Sequence, residues 1–165
     1  MLFRSHNGTI SEFDSIRRVL LNTLDDMHFS EIKGHTDSEH LFMLISYLLQ
    51  KNKSTDLSCL CEATIAAIEH IHDLKKQCLC VSRTSINSVL TNGKELVGIR
   101  YLANSDKHYV SLYYKYVDAE KTGVIVASEK LDNSPNWQTV PMNHMIKINQ
   151  ELAVEIIPLE NLSSC

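Results

Sequence analysis

The chain contains no basic tract, no low-complexity segment and no internal repeat. Its most apolar stretch, residues 41–49, is about half of the ~20 residues a helix needs to cross a bilayer, so no membrane-spanning helix is expected. The formal net charge is −4 and no run of Lys or Arg concentrates positive charge, which argues against nucleic acid or an anionic membrane as the main partner. The opening residues Met1-Leu2-Phe3-Arg4-Ser5-His6 turn polar at once, unlike a secretory signal. A cytoplasmic, reducing setting is therefore expected, with the five cysteines at 59, 61, 78, 80 and 165 left as free thiols.

What is present suits one globular domain of 165 residues, with 44% hydrophobic and 22% charged residues. The first half has helical periodicity. Phe13, Ile16, Leu20, Leu24 and Met27 recur at three- and four-residue steps, which predicts an amphipathic helix over 12–27 with Ser11 as its N-cap. A second helix is expected over 38–50, apolar on almost every face and so sandwiched between layers. A third, over 57–76, would bury Leu60, Thr64, Ile68 and Ile71. The second half changes to strand character. Asn92-Gly93 between two β-prone runs predicts a type I′ hairpin. Strands are further expected over 109–117, 122–127, 144–148 and 152–157, the last two paired. Helices followed by mostly antiparallel strands make an α+β domain.

Several constellations could carry chemistry. Cys59-Leu60-Cys61 and Cys78-Leu79-Cys80 are C-x-C pairs, but they fall at opposite ends of a helix roughly 30 Å long, so no metal is expected there. His70 and His72 point about 200° apart around the same helix, at ~100° per residue, and share no ligand geometry. Thr36-Asp37-Ser38-Glu39 before an apolar run is a capping box, in which Asp37 is not needed for the cap. A free carboxylate at that position suits an ammonium group. His6-Asn7-Gly8 reads as a turn leading into the first helix. It also offers an Asn amide and a Gly N–H that could converge on one oxygen, the missing Cβ leaving room for close approach.

Taken together, His6-Asn7-Gly8-x-Ile10-x-x-Phe13 and Gly34-x-Thr36-Asp37-Ser38-Glu39, each opening a helix, resemble the class II glutamine amidotransferase domain. Val124-Ile125-Val126-Ala127-Ser128-Glu129-x-Leu131 and Trp137-x-x-Val140-Pro141 resemble one branch of it. That branch is the subunit that, with a metallopeptidase-like partner, cleaves the γ-glutamyl bond of glutathione. Bacterial amidotransferase-like proteins, including the γ-glutamyl hydrolase of ergothioneine synthesis, are similar too. The resemblance implies hydrolysis of a γ-glutamyl amide without cofactor or metal, and a four-layer αββα sandwich of the N-terminal-nucleophile hydrolase type. Asn7 and Gly8 match the oxyanion hole, where one donor is worth roughly 3–4 kcal/mol of barrier in related chemistry. Asp37 matches the carboxylate that holds the α-ammonium of the substrate. Gly8 and Thr36 belong with it in the binding site.

The departure from the family pattern is large. Family members use an N-terminal cysteine as nucleophile, its own α-amino group as base and an upstream arginine as carboxylate clamp. The first cysteine here is Cys59, inside an expected helix, and Arg4 is too near the Asn-Gly turn to match the clamp. No nucleophile is expected in this chain. The expectation is that residues 1–165 are the C-terminal part of one type-2 amidotransferase domain, lacking its N-terminal strands. The alternative is a non-catalytic γ-glutamyl-binding or regulatory protein acting in a complex.

Overall fold

The computed structural model of the chain describes residues 2–105 and 110–159. Two short strands, β1 (Phe3–His6) and β2 (Thr9–Ile10), lead into four helices: α1 (Phe13–Leu21), α2 (Asp26–Glu31), α3 (Asp37–Asn52) and α4 (Leu57–Gln77). Seven strands follow: β3 (Thr84–Thr91), β4 (Leu96–Ala103), β5 (Tyr113–Tyr116), β6 (Val124–Ala127), β7 (Gln138–Thr139), β8 (His144–Ile148) and β9 (Val154–Pro158).

The helices form one layer and the strands two. The larger sheet runs β1-β3-β4-β8-β9 with β2 also on β3, and every pairing is antiparallel. The smaller sheet is β6-β5-β7. Strand side chains alternate between faces, and the alternation separates two cores. Ile86, Leu90, Val97, Ile99, Tyr101 and Met145 meet α1, α3 and α4. Val89, Leu96, Ile146, Ile148 and Ile156 meet Leu112 and, from the smaller sheet, Tyr114, Val124 and Val126. This is the expected α+β architecture, with helix, sheet and sheet layers among the described residues.

Three local expectations are corrected. The helix expected over 12–27 is two helices. The chain leaves α1 at Asn22, and Asp25 takes extended backbone angles so that its carboxylate accepts the His28 N–H at 2.9 Å. An N-cap residue has non-helical φ/ψ, so it cannot lie inside a helix. Met27 is consequently 52% exposed although its spacing fits the apolar stripe. The cap of α1 is Glu12, at φ 58°, and not Ser11. Ser11 is held at the sheet instead, its N–H donating to the Arg83 carbonyl at 3.1 Å. The hairpin at Asn92-Gly93 forms, but its loop covers 92–95 and only Gly93 has positive φ. The Asn92 side-chain oxygen accepts the N–H groups of Lys94 and Glu95 at 2.9 and 2.8 Å, which fixes a wider turn than type I′.

Helices α3 and α4 form close to where their patterns place them. Thr36 caps α3 as expected, its hydroxyl accepting the Glu39 N–H at 3.3 Å. The Glu39 carboxylate reaches the Lys33 and Gly34 N–H groups at 2.8 Å each, so the approach to α3 is bonded to its first turn. Asp56 caps α4 through the Cys59 N–H. Helix α3 buries one side, through His40, Leu41, Leu44, Ile45 and Leu49, while Phe42, Met43, Tyr47 and Leu48 are half-buried. It buries one side and is not covered on both as expected. The strand expected over 109–117 is β5, beginning at Tyr113; Tyr109 lies outside the described residues, as does Cys165. The run expected over 122–127 gives β6, half-buried along its length.

Candidate functional site

The His6-Asn7-Gly8 segment interrupts an edge strand. Register runs from Phe3↔Thr91 to His6↔Ser88, and resumes at Thr9↔Ser85 without a shift. No residue is inserted, so Asn7 lies opposite Asn87 and Gly8 opposite Ile86. Between the two strands one backbone bond remains, the Asn7 N–H donating to the Asn87 carbonyl at 2.8 Å. Asn7 is exposed, and its side-chain amide has no partner among the described residues. Asn87 is 4% exposed; its Nδ2 donates to the Ser111 carbonyl at 2.7 Å, and its Oδ1 is buried without a partner.

Gly8 is required by the fold itself. A Cβ there would stand 2.3 Å from the Ser85 carbonyl oxygen and 2.8 Å from His6 Nε2. The absent side chain is what lets this segment lie against β3 and leaves room for the His6 ring.

The first turn of α3 closes on the same segment. Asp37 Oδ2 accepts the Ile10 N–H at 2.7 Å, and Oδ1 accepts the Ser38 N–H at 2.7 Å. The Ser38 hydroxyl lies 3.3 Å from Asp37 Oδ1 and 2.5 Å from His6 Nδ1. Every contact contains a hydrogen only if His6 is protonated on Nδ1, donates to Ser38 Oγ, and Ser38 donates to Asp37. His6 Nε2 is then a bare acceptor, and it is buried with no partner. Burial holds the His6 pKa below its usual value; the nearby Asp37 charge opposes this and Arg4 adds to it. Arg4, whose guanidinium lies over the Phe42 ring at 5.2 Å, lines the crevice between β1 and α3 with His6, Ser38 and Ser88.

Of the residues singled out in the sequence, Asn7, Gly8 and Asp37 therefore share one locality, linked by the Ile10–Asp37 bond. Asp37 is half-buried and is tied into the fold by two backbone donors. Thr36 is exposed, its hydroxyl occupied by the cap and its carbonyl by His40 Nδ1 at 2.8 Å. His40 is fully buried and its Nε2 accepts from Arg17 Nε at 3.2 Å, which fixes the ring behind the cap. Sequence reasoning missed His6–Ser38 and His40–Arg17. Tertiary partners of this kind have no local spacing to betray them.

The other constellations have separate partners. His72 Nε2 meets the Tyr101 hydroxyl at 2.6 Å, and His70 Nε2 meets Thr23 Oγ1 at 3.1 Å. Cys59, Cys61, Cys78 and Cys80 are free, and none lines the crevice between β1 and α3. Burial pushes the Cys61 thiol up to about 11, the reverse of an activated nucleophile. Among the described residues no group of His, Cys, Asp or Glu is placed to hold a metal ion. No helix among them is long and apolar enough to cross a membrane.

No protein-family model matches the chain. It is 28% identical, over a 175-residue alignment, to the probable glutamine amidotransferase DUG3 of Saccharomyces cerevisiae, covering 88% of this chain and 49% of that protein. The chain thus spans about half the length of the curated relative it matches. A glutamine aminotransferase class-II domain protein from Silicibacter pomeroyi superposes with a TM-score of 0.73 at 24% identity, covering 95% of this chain and 67% of that one. A predicted glutamine amidotransferase from Pseudomonas aeruginosa gives 0.59 at 16% identity, over 94% and 59% of the two chains. The glutamine phosphoribosylpyrophosphate amidotransferase of B. subtilis gives 0.58 at 15%, over 97% of this chain and 29% of that one.

Two predictions follow from the geometry. Gly8→Ala is expected to lower stability by about 1–3 kcal/mol, because a backbone carbonyl cannot swing aside as a side-chain tip can. Urea denaturation measures it, and an unchanged midpoint would contradict the close approach of β2 to β3. Burial lowers the pKa of His6, His70 and His72 in the folded chain. Their unfolded value is about 6.5, so this contribution is fully present above that pH and is lost as pH falls below it. The lowered carboxylates, Asp132 among them at about 2, titrate outside that window. The urea midpoint should therefore drop between pH 7.5 and 5.5; a constant midpoint would show that the rings charge without cost.

Proposed function

We propose that this chain, homologous to a glutamine amidotransferase and with the fold of class II glutamine amidotransferase domains, supplies the γ-glutamyl-gripping part of such a site. The γ-carbonyl oxygen of glutamine or glutathione would sit at the Asn7 amide and the Gly8 N–H, and the α-ammonium at Asp37. One observation carries this reading: the Ile10 N–H to Asp37 Oδ2 bond brings together two segments thirty residues apart, each holding half of the required chemistry. An uncommitted amide donor at Asn7 and a half-buried carboxylate within the same locality are complementary to an oxyanion and an ammonium group. Thr36 contributes by capping the helix that aims Asp37.

Hydrolysis of the γ-glutamyl amide needs a nucleophile, and on this reading none of the four described thiols provides it. Each is committed to a helix or turn away from Asn7, and burial holds Cys59 and Cys61 in the protonated form. The described residues thus grip without cutting, and a metallopeptidase-like protein is the partner that the branch resemblance favours. Free thiols suit a cytoplasmic setting.

Isothermal titration with glutamine and with glutathione tests the grip. Wild type should bind at least one of them. Asn7→Ala, which removes an exposed amide with no partner among the described residues, should weaken binding several-fold without altering the melting temperature. Asp37→Asn should weaken it by tenfold or more, in line with a charge-assisted contact. A glutaminase assay on the same protein should give only background turnover. Binding of neither ligand by wild type would overturn the proposal.

A further inference from the structure

Asp37 can hold an ammonium group only through a lone pair that the protein has not already engaged. A carboxylate offers about four acceptor sites, two on each oxygen. Here Oδ1 accepts the Ser38 N–H at 2.7 Å and faces the Ser38 hydroxyl at 3.3 Å, so both of its sites are engaged. Oδ2 accepts the Ile10 N–H at 2.7 Å and keeps one site open. Ser38 therefore decides which oxygen is left for a ligand. Its hydroxyl can do so only while its own orientation is held, and His6 Nδ1 at 2.5 Å holds it from the other side.

We propose that Ser38 is a positioning residue for the ligand's α-ammonium group, acting through Asp37, with the neutral His6 ring as its support. The inference rests on the reading of the γ-glutamyl site given above and adds a specificity element that the sequence motif did not single out. The hydroxyl relays from His6 to Asp37 in one direction: His6 Nδ1–H donates to Ser38 Oγ, Ser38 Oγ–H donates to Asp37 Oδ1, and Oδ2 faces the ligand. Two further features fit this direction. His6 Nε2 is buried with no partner, which suits a bare nitrogen and would leave an N–H stranded. The ring also packs over Gly8, where a Cβ would approach Nε2 to 2.8 Å, so its rotation is restricted and Nδ1 stays on Ser38. The preferred ligand is accordingly a γ-glutamyl compound with a free α-amino group. The same acyl chain lacking that group gains nothing from the relay.

The experiment compares L-glutamine with glutaramic acid, the same γ-amide without the α-amino group, by isothermal titration and competition against the wild-type chain, Ser38→Ala and Ser38→Thr. Ser38→Ala should bind glutamine about tenfold more weakly, Ser38→Thr should restore most of the loss, and glutaramic acid should bind all three proteins alike. In parallel, ¹⁵N shifts of the His6 ring should report Nδ1–H in wild type and lose that preference in Ser38→Ala. Equal binding of glutamine by wild type and Ser38→Ala would overturn the role of Ser38 while leaving the γ-glutamyl site standing. Equal weakening of both ligands would overturn it as well, showing a general structural effect. An Nε2–H ring in wild type would overturn the direction of the relay. Failure of wild type to bind glutamine would instead remove the site, and this inference with it.

Discussion

The hydrogen bond from the Ile10 N–H to Asp37 Oδ2 is the contact on which the rest of the site depends. Ile10 is buried at the end of an edge strand, and Asp37 opens a sixteen-residue helix. A charge-assisted bond between a backbone donor and a carboxylate is short and directional, so it fixes both the distance and the angle at which α3 meets β2. It also anchors the negative charge beside the positive end of the helix dipole, where a carboxylate is stabilised. Together with the His6–Ser38 contact it joins the Asn-Gly segment to the first turn of α3.

The remaining contacts refine that junction. Gly8 allows the strand to approach β3 closely, His6 fills the space that its missing side chain leaves, and Ser38 couples His6 to the carboxylate. Behind them the fully buried His40 ties the Thr36 carbonyl to Arg17, so the cap of α3 is braced from α1. Rigid elements on both sides hold the proposed site of few residues. Such a site needs little reorganisation when a charged ligand arrives, which is the condition under which fixed dipoles are most effective.

Much of this was legible in the residues because some interactions are local. The cap of α3 is a Thr with a Glu three residues on, and the bond forms within one turn. The β3–β4 hairpin announces itself through Asn92-Gly93, although the side-chain oxygen of Asn92, by capturing two N–H groups, made a longer turn than the dipeptide alone implies. The break between α1 and α2 was hidden, because apolar spacing continues through it and only the Asp25 cap marks the end. The Ile10–Asp37 bond was hidden for a different reason. One partner is a backbone N–H, which every residue but proline possesses, so no residue type signals it. The need for Gly8 was legible, but its cause was not: the sequence pointed to room for a ligand, and the geometry shows the Ser85 carbonyl and the His6 ring in that space.

Amide-resolved NMR titration of the ¹⁵N-labelled chain with glutamine tests most directly whether the Asn-Gly segment and the first turn of α3 make one γ-glutamyl-binding locality. Saturable shifts are expected at the backbone amides of Gly8, Ile10 and Ser38 and at the side-chain amide of Asn7, all with one dissociation constant. Saturable shifts confined to other surfaces, with these four groups unmoved at saturation, would contradict it.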